Sequence, residues 1–134
     1  MKYAIRYYTK SGNTKKLADA IAEVLNIEAK PISDELEEDV EVLFLGSSIY
    51  GSAIDPSVKN FFNNLNVEIG LLVNFSTAGI MQSSYNQIKD ICNNNDITIS
   101  DDEFHCPGSF AGMNMDRPNE DDIENIKNFT RKFL

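Results

Sequence analysis

The sequence predicts an α/β fold: one domain, residues 1–134, built on a doubly wound five-stranded parallel sheet with helices on both faces. Three observations predict it. Apolar runs and amphipathic stretches alternate along all 134 residues, the pattern that βαβ units produce. The apolar runs are continuous and not of the every-other-residue kind, as expected of strands covered on both sides. Small hydroxyl-bearing and glycine-bearing segments follow directly after these runs, at the strand C-terminal ends where such sheets bind ligands. The length is enough to bury a core without a disulfide or a structural metal.

Taken in order, the first strand reads over residues 3–8, Tyr3 to Tyr8. An amphipathic stretch from Lys15 follows, with Leu17, Ala18, Ile21, Ala22 and Leu25 on one helical face. A second strand falls at about 27–32, and Asp34 to Glu38 is too short to read as a helix. The run Glu41-Val42-Leu43-Phe44-Leu45-Gly46-Ser47 is the third strand. Asp55-Pro56 then opens a helix, with Asp as N-cap and Pro at the first helical position, carrying Val58, Phe61, Phe62 and Leu65 inward. Residues 69–75 make the fourth strand, and 82–93 a helix that buries Tyr85, Ile88, Ile91 and Cys92. Glu103-Phe104-His105-Cys106 is a weaker fifth strand. The last helix starts at Asn119, with Glu120, Asp121 and Asp122 in the first turn, Lys127, Arg131 and Lys132 near its end, and Ile123, Ile126, Phe129 and Phe133 buried. Both charge groups suit the helix dipole.

Composition narrows the function classes. The net charge is −9, with acidic residues crowded at 34–41, 101–103 and 120–124. Nucleic-acid binding needs a basic footprint and is not expected. Docking to basic surfaces of protein partners is favoured by steering, although plain solubility accounts for most of these charges. Cys92 and Cys106 have no metal-ligand spacing and form no Cys-x-x-Cys pair, so no metal site is expected and both read as reduced residues in packing roles. There is no apolar signal core and no run of membrane-spanning length. No membrane association is expected, and a cytoplasmic location is.

The most informative segment is Thr9-Lys10-Ser11-Gly12-Asn13-Thr14, between the first strand and the first helix. A helix N-terminus presents unpaired N–H groups and the positive end of the macrodipole. Thr9, Ser11 and Thr14 add hydroxyls, and Gly12 permits positive φ or close backbone approach. A phosphate would be held there largely by neutral donors. Neither the Walker pattern nor Gly-x-Gly-x-x-Gly occurs in the chain. Two more turns of the same character follow the third and fourth strands: Gly46-Ser47-Ser48-Ile49-Tyr50-Gly51-Ser52 and Asn74-Phe75-Ser76-Thr77-Ala78-Gly79-Ile80.

On these residues the chain resembles a short-chain flavodoxin nearly end to end. Thr9, Ser11, Gly12 and Thr14 match that family's phosphate signature, Tyr50-Gly51 its second turn, and Arg117-Pro118-Asn119-Glu120-Asp121-Asp122 the start of its final helix. The resemblance implies strand order 2-1-3-4-5, bound flavin mononucleotide (FMN) at the switch point, and low-potential electron transfer between redox proteins. It assigns FMN to Thr9, Lys10, Ser11, Gly12, Asn13 and Thr14, with Ser47, Ser48, Ile49, Tyr50 and Gly51 and with Ser76, Thr77, Ala78 and Gly79 along the ring. Tyr50 would stack on the isoalloxazine. Gly51 would let its peptide turn over when flavin N5 gains a proton, favouring one-electron reduction. Asp55 reads primarily as a helix cap, with a role in lowering the flavin potential as the alternative.

The turn after the fourth strand departs from the family pattern, because Ser76 to Met81 holds neither the aromatic residue nor the acidic neighbour common there. Ile80 or Met81 would cover the second flavin face, or that face would stand open to a substrate. An open face would suit an FMN-dependent oxidoreductase such as a quinone reductase or protoporphyrinogen oxidase relative. No catalytic residue supports that alternative: His105 lies in a strand, and Cys106 lacks a resolving partner. The segment Pro107 to Met115, with Phe110, Met113 and Met115, reads as a lid or partner contact, or as packing on the last helix.

Overall fold

A computed structural model describes residues 1–49, 53–79, 83–109, 112 and 114–134. Its strands are β1 (Tyr3–Tyr8), β2 (Ala29–Pro31), β3 (Val40–Ile49), β4 (Ile69–Ala78) and β5 (Phe104–Pro107). They form one five-stranded sheet in the order β2-β1-β3-β4-β5, every pairing parallel. The helices are α1 (Asn13–Leu25), α2 (Pro56–Asn63), α3 (Tyr85–Asn94) and α4 (Glu120–Arg131). The α/β doubly wound architecture and the order 2-1-3-4-5 are therefore as expected.

Strand alternation divides the core in two. Successive side chains point to opposite faces of a sheet, so Val42 and Phe44 of β3 join Leu17, Ile21 and Ile126 beneath α1 and α4. Leu43 and Leu45 join Val58, Phe62 and Ile88 beneath α2 and α3. This double coverage is why the strands read as unbroken apolar runs. Gly46 of β3 stands opposite Phe75 of β4: a Cβ there would lie 2.3 Å from the Phe75 ring, so the aromatic occupies the space a side chain would need.

The termini of elements shift from the sequence reading for local reasons. β3 and β4 run on through polar residues, because the ladder continues as Ser47↔Ser76, Ser48↔Thr77 and Ile49↔Ala78. α1 begins at Asn13 and α3 at Tyr85, and β2 keeps only three residues. The Asp55 cap is present: its Oδ1 accepts from the Ser57 amide at 2.9 Å and the Ser57 hydroxyl at 2.7 Å. Asn119 and Asp122 form a reciprocal capping box at the start of α4.

A parallel crossover usually carries a helix, but residues 32–39, which connect β2 to β3, form none. Arg6 holds this segment instead. Its buried guanidinium donates from Nε to the Asp34 carbonyl at 2.7 Å, from Nη1 to the Ile5 carbonyl at 3.0 Å and from Nη2 to the Glu35 carbonyl at 3.4 Å. Leu36 is thereby pinned into the core. Burial lowers the Arg6 pKa, and the Asp34 charge opposes that shift.

Candidate functional site

The β1–α1 turn is shaped by its own side chains. Thr9 Oγ1 accepts from the Gly12 amide at 3.0 Å, which curls the loop, and Gly12 takes φ +88°, a left-handed conformation that costs a residue with a Cβ roughly 1–2 kcal/mol. Gly12 is the N-cap of α1, and no side chain caps that helix. An uncapped helix start aims free amides outward together with the positive dipole end. No acidic residue lies in the first turn to oppose an anion.

The hydroxyls do not all face that point. Ser11 is exposed and Thr9 half-buried, whereas Thr14 is fully buried. Thr14 Oγ1 lies 2.6 Å from Ser48 Oγ and 2.9 Å from Thr77 Oγ1. Ser48 Oγ in turn reaches Thr9 Oγ1 and Thr77 Oγ1, both at 3.4 Å. One buried hydroxyl cluster thus joins the β1–α1 turn to the ends of β3 and β4. The sequence reading grouped the Thr14 hydroxyl with those of Thr9 and Ser11 around a phosphate; in the structure its side chain bonds to Ser48 and Thr77 of the sheet.

The alternation of β3 and β4 separates the remaining site residues. Ser48 and Thr77 project toward α1, while Ser47 and Ser76, fully buried, lie on the opposite face. Ser76 Oγ accepts from the Ser84 amide at 3.3 Å, so it braces the start of α3. Ser47 Oγ has no hydrogen-bond partner among the described residues. Ile49 and Ala78 are buried, Gly79 half-buried and Lys10 exposed. Tyr50 and Gly51 lie outside the described residues, as do Ser52, Ile80, Met81, Gln82, Phe110, Ala111 and Met113.

Described residues of the segment 107–115, which the sequence offered as a lid, a partner contact or packing, bond to both turns, one of them through Asn13. Asn13 donates from Nδ2 to the Ser109 carbonyl at 2.9 Å, and Ser109 Oγ donates to Asn13 Oδ1 at 3.3 Å. The Gly108 amide donates to the Ala78 carbonyl at 2.9 Å. Asn114, at φ 51°, donates from Nδ2 to the Gly79 carbonyl at 2.7 Å. The segment after β5 is therefore a strap across both the anion-side turn and the β4 turn. Its Asn and Gly content was the available signal, since both residue types tolerate left-handed φ. Met115 stays exposed.

Electrostatics and chemistry around the slot are restrained. Tyr8 donates its hydroxyl to Asp55 Oδ2 at 2.9 Å. The Asp55 carboxyl is held below its usual pKa, chiefly by the Ser57 amide and hydroxyl and further by Tyr8 and the Lys10 charge. His105 Nδ1 pairs with Glu103 Oε1 at 2.8 Å, and Ser83 donates to Glu103 Oε2 at 2.8 Å. Burial pushes the Cys92 thiol up to about 11 and the Cys106 thiol up to about 12, so both are poor nucleophiles near neutral pH. No metal-binding group of His, Cys, Asp and Glu occurs among the described residues.

An open, parallel sheet of this order with its polar turns at the strand C-terminal ends is the flavodoxin architecture. The chain belongs to the Flavodoxin domain family, whose match spans residues 4–91. An uncharacterized protein of Methanocaldococcus jannaschii is 29% identical over 136 residues, which covers 91% of this chain and 90% of that one. A flavodoxin from the domain Archaea superposes with TM-score 0.79 at 18% identity, covering 98% of this chain and 95% of that chain. Oxidised flavodoxin 1 of Bacillus cereus gives TM-score 0.76 at 17% identity, covering 99% and 97%. The fold expected from the sequence is thereby established, and its family is one of flavin-type proteins.

Proposed function

We propose that this protein binds FMN at the β1–α1 turn and carries low-potential electrons between redox proteins. The observation that carries the reading is the uncapped start of α1, entered through a left-handed Gly12 and flanked by Thr9 and Ser11. It supplies what a phosphate monoester requires: several N–H donors, hydroxyls and a favourable dipole without a bound metal. The amides of Asn13 and Thr14 beyond the left-handed Gly12, with Thr9, Lys10 and Ser11, would hold the phosphate. Ser48, Ile49, Thr77, Ala78 and Gly79 would line the slot toward the ring, with Ser47 and Ser76 supporting from the opposite face. Tyr50 and Gly51 keep the ring-side role implied by the resemblance.

Bound FMN supplies reversible one- and two-electron chemistry. The chain's own contribution is to seat the phosphate, fix the turns and keep reactive groups away from the ring. Among the described residues, both thiols are buried with raised pKa values and the His105 ring is hydrogen-bonded to Glu103, which supports a carrier. Partners with basic docking surfaces suit the net charge of −9, and encounter with them should slow as salt screens that field. Among the described residues, no helix is long and apolar enough to cross a membrane. A cytoplasmic location remains the reading.

Titration of the cofactor-free chain with FMN and with riboflavin tests the claim. FMN should bind at least about 100-fold more tightly, since two or more charge-assisted hydrogen bonds at roughly 1.5–3 kcal/mol each depend on the phosphate. Equal affinities would remove the β1–α1 turn from the site, and no binding of either would end the flavin assignment. Reductive titration of the FMN form should pass through an accumulating one-electron-reduced flavin. Direct two-electron conversion with NAD(P)H-driven turnover of quinones would instead identify a reductase.

A further inference from the structure

The helix missing from the β2–β3 crossover leaves a second concavity, which shares only Thr9 with the residues the flavin reading uses. A cavity of about 430 Å³ lies between the crossover and α2. Tyr8, Ile32, Leu36, Phe61 and Leu65 line it, all of them packed in or against the α2-side core. Ser33, Asn60, Asn64 and Glu35 also line it, and these four are exposed. No lysine or arginine is among the described residues that line it. Both walls are fixed in advance: Tyr8 is anchored through its hydroxyl to Asp55, and the crossover is anchored by Arg6 at the carbonyls of Asp34 and Glu35.

We infer that this cavity binds a planar aromatic small molecule, neutral or cationic. The volume falls within the range of about 300–1,000 Å³ that such sites occupy. Two aromatic and three branched aliphatic walls match a flat apolar body. The two Asn amides and the Ser33 hydroxyl offer orienting hydrogen bonds at its edge. Glu35 supplies the charge preference: its carboxylate enters no ion pair among the described residues, and no lysine or arginine among the described lining residues offsets it toward an anion. Prefixed walls reduce the ordering cost of binding. The cavity meets the proposed flavin slot at Thr9; its other described walls belong to the ends of β1 and β2, the crossover and α2, so the inference does not depend on FMN.

Two probes with the same ring system but different charge test it on the full chain: N-phenyl-1-naphthylamine and 8-anilinonaphthalene-1-sulfonate. The neutral probe should bind saturably at one site, at least tenfold tighter than the sulfonate, and should shift the methyl resonances of Ile32, Leu36 and Leu65. Asn60→Trp, an exposed position on α2 that faces the cavity, should cut neutral-probe binding at least tenfold. Glu35→Gln should bring the sulfonate to within about threefold of the neutral probe; the variant keeps the backbone carbonyl that Arg6 holds. Absence of saturable binding, or binding indifferent to Asn60→Trp, overturns the proposal. Dimer formation that protects the same methyl groups would overturn it in favour of a second copy of the chain as occupant. FMN affinity, measured in parallel on each variant, should be unchanged, so a failed flavin assignment remains distinguishable.

Discussion

Replacing Thr14 with Val tests the hydroxyl cluster at its centre. The two side chains share a branched shape, so the substitution exchanges one oxygen for a methyl group within α1. Thr14 Oγ1 is fully buried and takes part in contacts of 2.6 Å and 2.9 Å. Once they are lost, Ser48 Oγ and Thr77 Oγ1 keep only the 3.4 Å contact to each other, with Thr9 also 3.4 Å from Ser48. An unsatisfied buried group costs about 1–3 kcal/mol; two are exposed to that cost, and closing their mutual gap recovers part of it. A net loss of about 2 kcal/mol follows, or on the order of 6–10 °C in Tm for a chain of this size. If FMN is seated as proposed, the loosened turn should also weaken it, by less than the roughly 1.5–3 kcal/mol that losing a direct hydrogen bond to the phosphate would cost. Thermal unfolding of the cofactor-free chain reads the first number and FMN titration the second. Thr14→Ser should retain most of both. A valine variant with unchanged Tm would refute the cluster as a structural element, and unchanged FMN affinity would refute its role in positioning the site.

Other perturbations address the frame around the site. Arg6→Met should destabilise the chain by about 2 kcal/mol, since charge-assisted hydrogen bonds worth roughly 1.5–3 kcal/mol each are partly offset by relief of guanidinium desolvation. Denaturant unfolding measures it, and early proteolysis within residues 32–39 should accompany it. Asp122 accepts from Arg117 at 2.6 Å and 2.7 Å, and its pKa is lowered chiefly by that partner and also by the Asn119 amide. A depressed folded pKa stabilises above the unfolded value of about 3.9, and that contribution is lost as pH falls through the folded pKa. Asp122→Asn should therefore flatten the stability decline below about pH 4, read from urea midpoints across pH. At pH 8 the native chain should react with a thiol-specific chromogen far more slowly than the urea-unfolded chain, because Cys92 and Cys106 are buried with raised pKa values.

Which features were legible in the sequence depended on whether they were local. The Asp55-Pro56 cap and the Asn119 start of α4 were readable because a cap needs only its own next two or three residues. The β1–α1 turn was readable for the same reason. Arg6 gave no such signal: it is a cation in an apolar run, and its acceptors at Asp34 and Glu35 lie far along the chain. Asn114 was equally silent, because its partner, the Gly79 carbonyl, is thirty-five residues away.

The sequence alone determined the strand and helix succession, the two-sided burial of the sheet, and a phosphate-suited turn after the first strand. Each follows from hydrophobic period or from hydrogen bonds that close within a few residues. Only the tertiary structure decided that Thr14 bonds to Ser48 and Thr77, that Ser109 and Asn114 after β5 tie to the two turns, and that the β2–β3 crossover opens a second cavity. These depend on the register of β3 against β4 and on which face each side chain meets. A one-residue change in register would reverse every such assignment, so they are settled only when the sheet is assembled.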